Sequence, residues 1–404
     1  CMDEVVEIFK LPKFDAKAAA QSRHHTEVEI SPPVVAQLQD LVTAIAETYL
    51  DNYFHNFEHA CHVSMSVDKF LQRIVALDIL DDAEDVNSKT TMASKMHDYT
   101  HGITSDPLSV LAIVFSALIH DVGKYPQCCL VFASTWLPIP HIPNIECNPT
   151  DHRGVSNMQL AKEDERLAKA YAKSIAEQNS MDIAWDILMS PKYSELRTTM
   201  FCTRAEMMRF RQAVVNIVLA TDIFDKELND LRKNRWNRAF SKGATGEGAN
   251  NDDINAVDRK ATIVIEHIMQ ASDVSHTMQH WHVYRKWNER LFMEMRAAFQ
   301  AGRMGKDPAE FWYKGEIGFF DNYIIPLAQK LRDCKVFGVS SDEVLNYAKQ
   351  NRKEWQERGE EIVAGLVQKA QAMESDVGLV DLVEEDEDDG ADDVLASSSF
   401  EIEV

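Results

Sequence analysis

Apolar residues along most of this chain recur at the spacing of one helix face. Val35, Leu38, Leu41, Ile45 and Leu50 line up behind Ser31-Pro32-Pro33, a serine cap with proline in the first turn. The same periodicity predicts helices over 57–77, 107–120, 160–178, 204–221, 261–271, 280–299, 320–335 and 341–373. Alternating strand patterns are nearly absent. The pattern therefore predicts an all-α, compact multi-helix bundle whose helices pack around a central site. The basic run 231–238 reads as a solvated helix face. The stretch 241–253 reads as a flexible loop, and its glycines do not match a phosphate loop. There is no internal repeat.

Bulk composition narrows the function. At 404 residues the chain can bury a large core, and 45% hydrophobic with 26% charged residues is ordinary for a soluble globular protein. The net charge of −23 is unevenly spread. Residues 381–404 hold eleven acidic and no basic residues, leaving about −12 on the rest. An acidic body argues against nucleic acid as a partner, and a phosphate ester would need metal ions to attract it. Seven cysteines are too few for a disulfide scaffold in a chain this long, so a reducing compartment is the simpler reading. No apolar run reaches the roughly 18 residues of a membrane span. The expected layout is an N-terminal flank (1–30), one domain (31–370) and an acidic disordered tail (371–404). The expected location is cytoplasmic, alone or within a larger membrane protein.

His120-Asp121 ends the apolar run 111–119 and is the most informative pair in the chain. Two adjacent metal-ligand types there, one a carboxylate that can bridge two ions, suit a hydrolase that makes hydroxide between cations. His55 and His59 stand four apart, on one face if helical, with His62 continuing the stripe. Asp273 ends another apolar run.

Taken together, H-N-x-x-H-A, H-D, D-H-x-G-V-S-N, I-V-L-A-T-D, A-S-D, G-F-F-D and N-R-K-E-W closely resemble the catalytic domain of the class I 3′,5′-cyclic nucleotide phosphodiesterases. The blocks stand at 54–60, 117–122, 151–160, 217–222, 270–276, 315–321 and 351–355, in family order. The resemblance implies an all-helical fold of the HD superfamily that hydrolyses cyclic AMP or cyclic GMP. It implies two divalent ions, zinc with magnesium or manganese. His59, His120, Asp121 and Asp273 match the ligands of the tighter ion, with Asp121 bridging. His55 matches the general acid. His152, Asn157, Glu177 and Thr221 match groups around the bridging water and the second ion's waters. Phe319 and Leu291 match the clamp on the purine, and His276 borders it. The sequence is compatible with a homo-oligomer and carries no signal for one.

The base pocket departs from the pattern. Glu316 stands where the family has a purine-reading glutamine, and an ionised glutamate only accepts hydrogen bonds, which favours guanine. His276 replaces the usual asparagine, His62 the common aspartate, and Arg153 a proline.

A larger departure follows Val122. Twenty-eight extra residues, 123–150, separate His120-Asp121-Val122 from Asp151-His152. The segment holds five prolines and few charges. It reads either as a real loop or as an unspliced intron. Gly123-Lys124-Tyr125 can be encoded with a splice-donor-like GTAAGT, and Thr150-Asp151 with a terminal AG. Two competing functions remain at this level. One is a nucleotide-binding pseudoenzyme impaired by the insertion and Glu316. The other is an HD-type phosphohydrolase of another nucleotide, suggested by His120-Asp121-Val122-Gly123-Lys124.

Overall fold

A computed structural model describes residues 4–22, 29–74, 86–123, 155–240, 253–337 and 341–385. Among them there is no β-strand, and the chain is all-α. Before the insertion lie α1 (Ala16–Ser22), α2 (Pro32–Ala46), α3 (Phe57–Arg73), α4 (Val86–Tyr99) and α5 (Pro107–Ile119). After it come α6 (Asn157–Glu163), α7 (Glu165–Ala170), α8 (Ile175–Met189), α9 (Ser194–Met200), α10 (Arg204–Leu219), α11 (Lys226–Phe240) and α12 (Asp253–Asp273). The last group is α13 (Trp281–Gln300), α14 (Trp312–Phe319), α15 (Ile325–Asp333) and α16 (Ser341–Glu385).

Helices α3, α5, α10 and α12 pack on one another and form the centre. α5 is apolar almost all round; Ala112, Ile113, Ala117 and Ile119 have no exposed surface, while Leu111 and Val114 lie on its exposed side. α16 closes the far side against α13, α14 and α15. Asn351 on α16 donates to the carbonyls of Thr277 and Gln279, and Arg352 grips Asp321 with two nitrogens at 2.9 Å each. The last two sequence blocks are thus tied together as scaffold. The N-terminal flank packs on the same core. Phe9 is buried, Asn216 exchanges hydrogen bonds with Val6, and Arg211 binds Glu4.

Several boundaries differ from the sequence pattern, each for a local reason. The expected single helix over 160–178 is three pieces. Asp164 caps α7 by accepting from the Leu167 N–H, and Ser174 takes a left-handed backbone (φ 44°) just before α8. The helix expected from Phe320 begins as a π-turn, Phe320–Ile324, where Pro326 has no N–H to give the regular ladder. The segment 371–385, expected to be disordered, continues α16, since no proline interrupts 341–385 and adding a residue to a formed helix is easy. The loop over 241–252, the insertion from 124 and the tail from 386 lie outside the described residues. The basic run on α11 is not simply solvated. Arg232 and Arg235 are buried, and Arg235 pairs with Glu266 of α12 at 2.7 Å.

Candidate active site

The ends of five helices converge on one spot. His55 and His59 flank the start of α3, His120 and Asp121 follow α5, and Asp273 is the last residue of α12. Thr221 and Asp222 follow α10, and Glu177 lies in the first turn of α8. The carboxyl ends of α5, α10 and α12 point their carbonyl dipoles here, which favours positive charge. Asn56, inside the H-N-x-x-H block, is the N-cap of α3. Its side chain accepts from the His59 N–H at 3.0 Å and so sets the turn that aims both histidines.

His59, His120 and Asp273 each bring a ligand atom within 4.8 Å of the others. His59 Nε2 is 3.1 Å from Asp273 Oδ1 and 3.6 Å from Asp121 Oδ2. His120 Nε2 is 3.1 Å from Asp121 Oδ2 and 3.4 Å from Asp273 Oδ1. Asp121 Oδ2 thus lies beside both histidines. His120 Nδ1 donates to the Ala117 carbonyl at 3.0 Å, which leaves a lone pair on Nε2 in the neutral ring. That lone pair faces two carboxylate oxygens. Three electron-rich atoms at such distances repel unless a cation lies among them. Without a metal that cation is a proton: the carboxylates overcome burial and hold His120 well above its ordinary pKa. Asp273, despite its burial, is held low by the two histidines. The donor set fits a divalent metal ion.

His55 sits on the rim, half-exposed, with its Nδ1 against Glu294 Oε1. Burial opposes charge on the ring, but Glu294 outweighs it and lifts the pKa to about 9. Glu294, on α13, also accepts the backbone N–H groups of Phe54 and His55 through Oε2, at 2.7 and 2.9 Å. Nothing in the local sequence marked Glu294 except an acid inside an apolar stripe.

A second polar group adjoins the cluster. Asn157 donates to Glu177 at 3.0 Å and to Asp222 at 3.3 Å, and its oxygen takes the Ala176 N–H. Burial first, then the charge of Asp222, pushes Glu177 up to about 7. Asp222, also missed from sequence, accepts from Ser174 and from the backbone of Phe224 and Asp225. It lies one residue beyond Thr221 in the same block. Thr221 itself donates its hydroxyl to the Val218 carbonyl and behaves as a helix-end residue. His152 lies outside the described residues.

Around the base-pocket positions, Glu316 is buried and accepts from Tyr284 at 2.6 Å. Burial raises its carboxyl to about 7, against the donors Tyr284 and Asn288. Phe319 stacks on Tyr323, with centroids 5.4 Å apart. Leu291 packs partly buried on the main core. His276 is buried between Phe54 and Trp287, and Trp287 also touches His59 and His62. A cavity of about 130 Å³ lies farther along α3, lined by residues such as Lys69, Arg73, His280 and Tyr347, and takes in none of these groups.

Known proteins resemble this chain in sequence and in fold. The model of the 3′5′-cyclic nucleotide phosphodiesterase family matches residues 147–336. A probable 3′,5′-cyclic-AMP phosphodiesterase of Caenorhabditis elegans is 23% identical over 319 residues, covering 77% of this chain. The chain spans only 38% of that relative's length. Two crystal structures of the phosphodiesterase domain of the rhodopsin phosphodiesterase of the choanoflagellate Salpingoeca rosetta share the fold, each with a TM-score of 0.55. Their identities are 17% and 18%, covering 89% and 90% of this chain and 91% and 97% of theirs. No described helix is long and apolar enough to cross a membrane. Over residues 147–336 the chain is thus similar to the 3′5′-cyclic nucleotide phosphodiesterase family, and it shares the all-helical fold of the phosphodiesterase domain structures.

Proposed function

We propose that this domain hydrolyses the 3′ phosphoester of a 3′,5′-cyclic nucleotide and releases the 5′-monophosphate. The observation that carries the reading is the juxtaposition of the buried His59–His120–Asp121–Asp273 cluster with His55, which Glu294 clamps at its rim. Two imidazoles and two carboxylates suit zinc. A second ion, magnesium or manganese, would be held by the Asp121 carboxylate, near the Asn157–Glu177–Asp222 group, and would supply further positive charge there. When bound, divalent ions acidify water and offset the charge that grows on phosphate oxygens.

The protein's own groups supply the rest. A water oxygen forms the new bond to phosphorus while the bond to the 3′-oxygen breaks. The departing oxygen needs a proton, and His55 gives it. Glu294 on Nδ1 assigns that transfer to Nε2 and stabilises the charged ring beforehand. Loss of the proton leaves a neutral imidazole hydrogen-bonded to Glu294, ready to be recharged from water. Asp222 and Asn157 hold the polar wall in which Glu177 sits, so water there is ordered before substrate arrives.

The test is turnover of cyclic AMP and cyclic GMP by the whole chain, with product identified by chromatography. Expected are 5′-monophosphates, activity lost to a chelator and restored by divalent metal, and a drop of at least about a hundredfold in His55→Ala. A 3′-monophosphate product, or metal-loaded protein with no turnover of either nucleotide, would overturn the reading. The name of the C. elegans relative points to cyclic AMP as the first nucleotide to assay.

A further inference from the structure

The cavity of about 130 Å³ lies between α3, the turn Ser275–Met278 and the first turns of α16. Ser66, Lys69, Phe70 and Arg73 share one face of α3 along it. From Ser66 to Arg73 is roughly 10 Å at the helical rise per residue. At the Ser66 end, the hydroxyl donates to the His62 carbonyl at 2.9 Å, so the 2.7 Å contact between Ser66 and Ser275 is a donation from Ser275. Gln279 Nε2 donates to Ser275 Oγ at 3.3 Å. Both hydroxyl protons are thus spent within the wall, and this end shows an incoming group only lone pairs. The middle is apolar, with Phe70, Met278, Val283 and Val344. The mouth is cationic, with Lys69 and Arg73, and Arg73 holds Glu343 of α16.

The mouth carries one positive charge more than it neutralises. Lys69 makes no ion pair among the described residues. The Arg73 and Glu343 side chains are 21% and 41% exposed, and an ion pair that open contributes little. An incoming anion can therefore take Arg73 from Glu343 at small cost and gain Lys69 as well. His280 is engaged by the Tyr347 hydroxyl at 3.0 Å. Size sets the rest. A cavity of about 150 Å³ holds benzene, whereas pockets for drug-sized ligands begin near 300 Å³. A cyclic nucleotide is too large for this space. Phosphate has oxygens on every side and would find donors at the mouth alone.

We propose that this cavity is a second ligand site, for a small monocarboxylate with a short apolar body. The carboxylate lies on Lys69 and Arg73, and the apolar body fills the space among Phe70, Met278, Val283 and Val344. The lone pairs of Ser66 and Ser275 repel the charged end and so fix the orientation. Binding exchanges the direct tie between Arg73 of α3 and Glu343 of α16 for one that runs through the ligand, and Glu343 turns to solvent. The site is separate from the catalytic groups, and its assignment does not rest on the reaction proposed above.

The experiment is calorimetric titration of the metal-loaded whole chain with isobutyrate, with its neutral amide and with inorganic phosphate. The expected result is one isobutyrate site with a dissociation constant on the order of 1 mM, within reach of so few atoms. Isobutyramide should bind at least about tenfold more weakly, since it lacks the charge that strengthens hydrogen bonds to Lys69 and Arg73. Lys69→Glu should weaken isobutyrate by a similar factor. Glu343→Gln removes the competing carboxylate and should tighten it several-fold, and lost packing does not produce these opposite shifts. Val283→Phe fills the apolar middle and should abolish binding. Carboxylates also bind metal ions, so isobutyrate binding that persists unchanged in both Lys69→Glu and Val283→Phe belongs to the metal cluster and rejects the proposal. Equal affinity for acid and amide rejects it, as does the absence of any isobutyrate binding. Phosphate binding that Lys69→Glu abolishes and isobutyrate does not displace rejects the carboxylate assignment.

Discussion

Glu294 holds His55 from both sides of the peptide. One carboxylate oxygen accepts the Phe54 and His55 backbone N–H groups, and the other takes the imidazole Nδ1. A single acid thus fixes the loop entering α3, the ring orientation and the ring charge. Glu294→Gln keeps the shape but removes the charge that favours the imidazolium. A charge-assisted hydrogen bond contributes about 1.5–3 kcal/mol, so kcat should fall roughly tenfold to a hundredfold with KM little changed. Steady-state kinetics check this, and an unaltered kcat would show that His55 does its work without Glu294.

The lone pair of His120 and the carboxylates of Asp121 and Asp273 face one another across about 3 Å, a spacing read from the pairs at 3.1 and 3.4 Å. Metal removal should therefore lower stability as well as activity. A ligand present at a hundred times its dissociation constant stabilises by about 2.7 kcal/mol. Scanning calorimetry before and after chelation should show a fall in Tm that added zinc reverses. In His120→Ala the metal-dependent part of Tm should vanish, and metal analysis should find the tighter ion missing.

Asp222 touches Asn157, Ser174 and the backbone of the next turn, yet belongs to none of the expected ligands. Supporting groups of this kind typically change activity by about 10–100-fold. Asp222→Asn should produce a loss in that range while zinc content stays the same. A full loss of metal would instead make Asp222 part of the binding cluster.

Glu316 gives stability a pH dependence of definite sign. Its folded pKa, about 7, lies above the ordinary 4.5. Below 4.5 both folded and unfolded chains hold the proton, and there is no penalty. As pH rises, the unfolded chain ionises first, so stability is lost progressively until the folded carboxyl also ionises near 7. The full penalty is on the order of 3 kcal/mol. Glu316→Gln should match the native Tm near pH 5 within a few degrees and exceed it at pH 8.5. The same difference at both values would mean that burial of this carboxyl carries no charge cost.

The stems of the insertion are pinned to neighbouring turns of α8. The Val122 carbonyl accepts from Ser180 at 2.5 Å, and Asn157 accepts from the Ala176 N–H at 2.9 Å. Chain ends held this close tolerate a long loop at little entropic cost, and equally tolerate its removal. Deleting 123–150 should leave Tm within a few degrees and activity at or above that of the full chain. Transcript sequencing settles which version the cell makes, since an mRNA with all 28 codons rejects the intron.

The helical class was legible in the chain itself, whereas the grouping of His59, His120, Asp121 and Asp273 followed only from the resemblance of the motif blocks. Burial of most of α5 requires an apolar run, and His120-Asp121 stands where that run stops. Motif order then supplied the relation among distant segments. What the chain could not show were pairings across space. Glu294 reaches His55 from 239 residues away, Arg235 finds Glu266 on another helix, and Asp222 draws Ser174 into a left-handed turn that breaks an expected helix. Hydrophobic periodicity reports which face a helix buries, not which polar group waits on the facing helix. The charge of Glu316 follows the same rule. Its position was evident from the Gly-Glu-Ile-Gly-Phe block, but its proton depends on burial and on a Trp312–Asn288–Tyr284 donor series that only the tertiary structure assembles.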